Sequence, residues 1–155
     1  MLKKLCLSLI VLLLIGLTMQ QKAFYPPFLN GDKNYILCDG HMGVAWYIEK
    51  SSLQIERSEY PIYIVSINLV TAESAVGDVQ DFYYGGAGKI THRSRVCFYY
   101  NWLSRTMYVN QKNGWRYLRP VGSWGETGIF TPAGKKTFAL AFDKEFGGAY
   151  HADQI

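Results

Sequence analysis

The chain is poor in the residues that build metal sites and nucleotide-binding loops. Among its 155 residues are only three cysteines, three histidines and five prolines. A zinc site usually needs three or four protein ligands, and Asp39-x-His41 has no second ligand pair at a recognised spacing. The glycine-rich segment 85–88 is not a phosphate loop, because Tyr83 and Ile90 stand where Gly and Ser or Thr are required. We therefore expect no metal and no cofactor.

A long membrane span is also lacking. Residues 1–4 are a short basic start and residues 5–19 are almost wholly apolar, the pattern of a secretory signal. This run is shorter than the roughly 20 residues that a membrane-spanning helix needs. We predict that residues 1–23 are a signal peptide cleaved after Ala23, and an uncleaved N-terminal anchor is the alternative.

Little net charge remains beyond this segment. Three of the 16 Lys and Arg residues lie in it, so 13 basic side chains face 12 acidic ones in the rest of the chain. Near neutrality removes the basic patch that nucleic-acid binding requires, and we expect no nucleic-acid partner. The signal predicts an exported protein, periplasmic or on the cell surface, with a membrane contact only if the signal stays uncleaved.

Two cysteines, Cys38 and Cys97, follow the signal. An even pair in an oxidising compartment favours one disulfide. Two small buried thiols on neighbouring strands are the alternative. Sequence spacing does not show whether the two Cα atoms lie within the required ~4.4–6.8 Å, so both interpretations stay open.

Strand-like alternation dominates the rest of the chain, at 34–38, 44–49, 53–57, 60–70 and in three segments between 93 and 120. Asn113-Gly114 is a strong hairpin signal, because both residues tolerate positive φ. Residues 71–92 read as a long, weakly patterned connection, where we expect partner specificity. The pattern predicts a five- or six-stranded antiparallel meander.

One helix is predicted near the C-terminus. Thr131 suits its N-cap and Pro132 its first position, and Phe138, Phe142 and Phe146 repeat at helical spacing. This stripe is expected to pack on one face of the sheet, which gives an α+β fold. The predicted organisation after the signal is a linker at 24–33, a single α+β domain at 34–149 and a loose tail at 150–155.

Aromatic side chains interleaved with arginines are the abundant feature of the meander: Tyr99, Tyr100, Trp102, Tyr108, Trp115 and Tyr117, followed by Trp124. By alternation Val96, Phe98, Tyr100 and Trp102 share the side that suits the helix, and Arg95, Cys97, Tyr99 and Asn101 share the other. An open face of Tyr, Trp and Arg has the composition of binding hot spots, although such cross-strand pairs can simply stabilise a sheet. The predicted binding residues are Tyr83, Tyr84, Arg95, Tyr99, Arg105 and Arg116.

The order of signal, hairpin ending in Trp46-Tyr-Ile-Glu-Lys-Ser-Ser-Leu53, apolar strand, aromatic meander and helix resembles the surface-adhesin protein E type of domain. Residues 100–134 are similar to uncharacterised exported proteins of double-membraned Firmicutes. The resemblance implies an antiparallel sheet with a packed helix and a non-catalytic surface or periplasmic binding role, including adhesion to host-matrix or envelope proteins. A purely structural envelope protein is one alternative, and a hydrolase using His41 or His151 is another.

Overall fold

The computed structural model describes residues 25–121 and 124–146. The strands and α-helices of this part, in chain order, are β1 (Tyr35–His41), β2 (Val44–Glu59), β3 (Ile62–Ser74), α1 (Val79–Tyr83), β4 (Gly88–Asn101), β5 (Thr106–Gln111), β6 (Gly114–Leu118), α2 (Trp124–Thr127) and α3 (Phe130–Ala141). A 3-10 turn at Leu29–Gly31 precedes β1, and a π-helical turn at Phe142–Phe146 continues α3. The predicted signal at 1–23 and tail at 150–155 lie outside the described residues.

The six strands form one antiparallel meander in the order β1 to β6. With α3 packed on one face, the protein is an α+β domain, as the sequence predicts. Within β4, only the last four residues, Phe98–Asn101, pair with β5. The β4–β5–β6 hairpins are therefore confined to one corner of the sheet, beyond the long pairing of β2, β3 and β4.

The central strands are longer than predicted. The segments 44–49 and 53–57 belong to the single strand β2, because the register shift between Glu49 and Gln54 absorbs the residues between them. Polar residues such as Lys50, Ser51 and Ser52 read as a break in the sequence, yet a bulge lets a strand continue through them.

The predicted long connection at 71–92 is mostly strand. β3 continues through Ser74 and β4 begins at Gly88, so only residues 75–87 join them. Within that joining segment, Val79–Tyr83 form helix α1, which was not predicted. The side chain of Asp78 caps it by accepting hydrogen bonds from the backbone N–H groups of Gln80 and Asp81, at 2.8 and 3.4 Å.

Helix α3 covers one face of the sheet and builds the larger core. Phe138 and Phe142 are buried there with Ile48, Ile67, Phe98 and Tyr100, as the Phe stripe predicts. The helix starts earlier than expected: Ile129, not Thr131, occupies the N-cap, and the Thr131 hydroxyl donates instead to the carbonyl of Arg119. Helix α2, which lies between two glycines at 122 and 128, was not predicted. Gly147-Gly148, a glycine pair that predicts the C-terminal end of α3, lies outside the described residues.

The segment predicted as a linker belongs to the domain. Tyr25 and Leu29 are 5% and 2% exposed and form a second core with Tyr47 and Phe82 on the sheet face opposite α3. The Asn30 side chain also exchanges two 2.9 Å hydrogen bonds with the backbone of residue 88. The described part of the domain therefore begins at Tyr25, ahead of the predicted boundary at 34. The apolar residues beside Pro26-Pro27 cover a part of the sheet face opposite α3 that the sequence pattern had indicated to be exposed.

Candidate functional site

The sheet face opposite α3 carries a charged half, beside β2, β3 and the middle of β4. Arg93 forms a salt bridge with Glu49, Nε to Oε2 at 3.3 Å. The Arg95 guanidinium donates to the Ser52 carbonyl and to the side chains of Gln54 and Ser66. Both arginines are thus already bound by side chains and backbone of β2 and β3, which leaves them little capacity to bind a partner.

The other half of this face is aromatic, because the registers of β4, β5 and β6 place tyrosines side by side. Tyr99 is opposite Tyr108, which is opposite Tyr117. The ring centroids are 5.5 Å apart in each pair. Trp115 completes the set, with its ring 5.7 Å from that of Tyr99. Such spacings are those of favourable edge-to-face and tilted aromatic contacts.

A groove of about 280 Å³ opens between these rings and the β4–β5 turn. None of its lining residues carries a charge; they are Tyr99, Asn101, Ser104, Thr106, Tyr108 and Trp115. Trp115 is 45% exposed and Tyr117, next to the groove, is 44% exposed. A neutral surface with this much accessible Tyr and Trp is suited to binding, since these residues supply large contact area at low conformational cost.

The β4–β5 turn forms the polar wall of the groove. Asn101 Oδ1 accepts hydrogen bonds from the backbone N–H groups of Leu103 and Ser104, at 3.0 and 3.2 Å. Because both partners are N–H donors, the Asn101 atom that faces them is the amide oxygen. The amide nitrogen is therefore the end of the side chain that is available for other contacts. The Ser104 and Thr106 hydroxyls are 2.7 Å apart and bond to each other.

The structure brings only part of the predicted binding set to this face. Tyr99 lines the groove and Arg95 lies beside it, as alternation predicts. Arg116 lies on the α3 side instead, with its guanidinium 5.7 Å from the Phe130 ring and donating to the Thr127 carbonyl. Arg105 is exposed in the β4–β5 turn with φ 54°. The placement of Arg116 corrects the prediction, because side chains of β6 alternate and Trp115 and Tyr117 take the open face.

Tyr83 and Tyr84 form a separate site. Tyr83 is the last residue of α1, where its ring contacts that of Tyr25 at 5.4 Å. Tyr84 is 56% exposed beside it. They adjoin the Gly88 end of β4, and Tyr99 is 11 residues further along that strand, roughly 35 Å away at the rise of an extended chain. A single small ligand does not reach both places.

Five groove residues were missing from the predicted binding set: Asn101, Ser104, Thr106, Tyr108 and Trp115. A signal for two of them, Tyr108 and Trp115, was present in the alternation within β5 and β6. The pairing of Tyr108 with Tyr117 was not signalled, because Gln111 pairs with Gly114 and the two-residue loop is therefore Lys112-Asn113, one residue before the predicted Asn113-Gly114 turn. The polar wall carries no comparable signal, because it depends on how the β4–β5 turn folds.

The disulfide prediction is wrong. Cys38 and Cys97 are free thiols in strands β1 and β4, which are separated by β2 and β3. Three interstrand spacings put the strands roughly 14 Å apart along the sheet, beyond the reach of a disulfide. The alternative, two small thiols on neighbouring strands, is also wrong in one respect, because β1 and β4 are not neighbours in the sheet. Cys38 packs toward α3, whereas Cys97 stands beside Ser66 of β3.

Both thiols are expected to resist alkylation in the native protein. Burial raises the pKa of the Cys38 thiol from 9.0 to about 12, and burial together with the Glu56 carboxylate raises the pKa of Cys97. Because the thiolate is the nucleophile, we expect iodoacetamide at pH 8 to modify native Cys38 at least about a hundredfold more slowly than the unfolded chain. Peptide mass spectrometry with and without denaturant measures this. Rapid modification of native Cys38, or a linked Cys38–Cys97 peptide pair, would contradict the assignment.

A second polar cluster lies at the β1–β2 turn. Trp124 Nε1 donates to Asp39 Oδ2 at 3.0 Å, and the His41 ring packs against Trp46 and Trp124 at centroid distances of 5.1 and 4.3 Å. The hydrolase alternative needs a nucleophile near His41, but His41 lies on the α3 side, whereas the thiol of Cys97 lies on the open face. His151 is outside the described residues. In the described ranges, no group of three His, Cys, Asp or Glu residues is arranged to hold a metal ion.

Fold and site together define a class: a small α+β domain whose antiparallel meander has one helix-covered face and an uncharged aromatic groove on the other. Comparison with models of protein families, with curated proteins and with solved structures gave no match in any of the three. Among the helices of the described residues, none has the length and apolar character needed to cross a membrane.

Proposed function

We propose that this chain is an exported, non-catalytic envelope or surface domain that binds a protein or envelope partner through the aromatic groove. The exposed, uncharged groove of Tyr99, Tyr108 and Trp115 is the observation that carries the proposal. Its rings stand on three hydrogen-bonded strands, so the binding surface is ordered before a partner arrives. Preorganisation lowers the entropic cost of association.

Two features of the sequence support the cellular setting. The basic start and apolar run at 1–19 are typical of a secretory signal. The chain also resembles surface-adhesin protein E domains in its order of elements, which favours an adhesin-like role at the periplasm or cell surface. The groove refines this proposal, since it moves the centre of binding from residues 71–92 to the β4–β6 corner.

Capture by the immobilised protein tests the proposal. We expect the protein, recovered from the envelope fraction after expression of the full chain, to capture an envelope or host-matrix component saturably. Tyr99→Ala is expected to weaken capture about tenfold, because removing a central aromatic contact typically costs a binding site more than 1 kcal/mol. Capture is followed by surface plasmon resonance with fractionated envelope and with purified matrix proteins.

Two variants control this measurement. Tyr84→Ala removes an exposed tyrosine far from the groove and is expected to leave capture unchanged. Trp102→Ala is unsuitable as a binding probe, because its ring lies 5.2 Å from that of Phe142 in the helix-side core and its loss reports on folding. Equal capture by Tyr99→Ala and the parent chain would refute the groove as the binding site, and no capture at micromolar concentration would favour a purely structural envelope protein.

A further inference from the structure

The chemistry of the groove narrows the class of partner, and this inference rests on the proposed function. No lining residue is charged, whereas Arg93 and Arg95 on the adjacent half are bound by Glu49, Gln54 and Ser66. Strongly charged ligands would find no counter-charge in the groove and would lose hydration on entering it. Charge complementarity therefore favours a neutral ligand.

Two groups in the groove, the Trp115 indole and the Asn101 amide, offer only donors to a ligand, whereas the hydroxyls of the other lining residues both donate and accept. The Trp115 indole has an N–H and no acceptor. Asn101 has its oxygen occupied by the N–H groups of Leu103 and Ser104, so its amide N–H groups are the free end. Ser104 and Thr106 bond to each other. A ligand with accessible carbonyl groups therefore satisfies the indole and amide donors.

An extended proline-rich peptide has this character. Proline has a carbonyl but no N–H, and the polyproline II helix makes no internal hydrogen bonds, so its carbonyls are available to the groove. Oligosaccharides, the other neutral ligands of an envelope, carry both hydroxyl donors and acceptors and are the competing class that the experiment below separates. Docking of proline rings between aromatic side chains is an established mode of peptide recognition.

The spacing of the row formed by Tyr99, Tyr108 and Tyr117 also matches the repeat of a polyproline II helix. Tyr99 and Tyr117 stand on strands β4 and β6, two interstrand spacings apart, or roughly 10 Å. In polyproline II, prolines three residues apart lie on one side of the helix at roughly 9 Å. Two prolines of one face can therefore each meet one of these rings while the peptide crosses Tyr108.

We propose that the aromatic groove binds a neutral proline-rich segment of a partner protein in the polyproline II conformation. The prolines pack against Tyr99, Tyr108 and Tyr117, and the peptide carbonyls accept hydrogen bonds from the Trp115 indole and the Asn101 amide. Partner selection then depends on proline spacing and neutrality.

Titration of the purified protein with a ten-residue proline peptide tests this inference. We expect saturable binding by isothermal calorimetry, with a change in tryptophan fluorescence that is lost in Trp115→Phe. Asn101→Asp is the decisive variant, because a carboxylate oxygen still accepts from Leu103 and Ser104 while the donor end is replaced by an acceptor. We expect it to weaken peptide binding at least about tenfold with an unchanged circular dichroism spectrum.

The controls separate this inference from the proposed function. A Gly-Ser decapeptide and cellohexaose are expected not to bind, and Tyr84→Ala is expected to bind the proline peptide as the parent chain does. Binding of cellohexaose alone, no saturable binding of the proline peptide at millimolar concentration, or equal affinity in Asn101→Asp would each overturn the inference. If Tyr99-dependent capture of an envelope component persists in those cases, the proposed function stands and only the ligand class is wrong.

Discussion

Phe142→Asp is expected to prevent folding. Phe142 is 3% exposed at the junction of α3 and the π-helical turn, with its ring 5.0 Å from that of Tyr63 and 4.8 Å from that of Phe146. Truncating a buried Phe costs about 3–5 kcal/mol, and an unpaired carboxylate at the same place adds several more. The sum reaches the range of about 5–15 kcal/mol over which whole domains are stable. Circular dichroism and thermal unfolding of the soluble fraction measure the effect.

Lys144→Asp is the matched control for this substitution. Lys144 is exposed two residues further along the same turn, so the variant introduces the same carboxylate at nearly the same place without burying it. We expect its midpoint of unfolding to stay close to that of the parent chain. A soluble Phe142→Asp protein with an unchanged melting profile would show that α3 is not docked as described.

The second large effect is expected at Tyr25, in the segment that reads as a linker. Its ring packs 5.3 Å from that of Phe82, and its hydroxyl accepts a 2.7 Å hydrogen bond from the Gly43 N–H. Tyr25→Ala removes a buried ring and leaves that N–H without its partner, so we expect a loss of about 3–5 kcal/mol in the free energy of unfolding. Urea denaturation followed by circular dichroism gives the difference.

Tyr25→Phe separates the two contributions, since it keeps the ring and removes the hydroxyl. We expect it to cost about 1 kcal/mol, the usual net value of one hydrogen bond, or somewhat more if Gly43 stays unsatisfied. Tyr84→Ala, at a tyrosine 56% exposed, is expected to change stability by less than about 0.5 kcal/mol. A Tyr25→Ala protein as stable as the parent chain would return residues 25–29 to the role of a linker.

The fold class was predictable because it depends on local signals. Each pattern predicts one element from a short segment. Period-2 alternation predicts strand β4 and its buried face, Asn113-Gly114 predicts a hairpin turn, and the Phe138–Phe142 spacing predicts a helix and its buried face. The continuity of β2 was not predictable in this way, because a bulge between Glu49 and Gln54 looks in sequence like a break. The extension of β3 and β4 into 71–92 depends on their pairing with each other, down to Ser74 opposite Gly88.

The candidate site was predictable only in part. Alternation placed Tyr99 and Arg95 on the face opposite the helix, as the structure has them. It did not show that Arg95 would be bound by Gln54 of β2 and Ser66 of β3, or that Arg116 would turn toward Phe130. Those contacts join residues far apart in the chain, and sequence patterns describe one strand at a time.

By itself, the sequence determined an antiparallel α+β domain with a Phe-lined helix on one face, because periodicity and turn chemistry are properties of short segments. The tertiary structure alone decided three things: that Tyr25 and Leu29 close a second core, that Cys38 and Cys97 stand apart, and that Tyr99, Tyr108 and Trp115 from β4, β5 and β6 meet in one groove. Each depends on strand register and on which strands lie side by side. A shift of one residue in register would send every one of those rings to the other face.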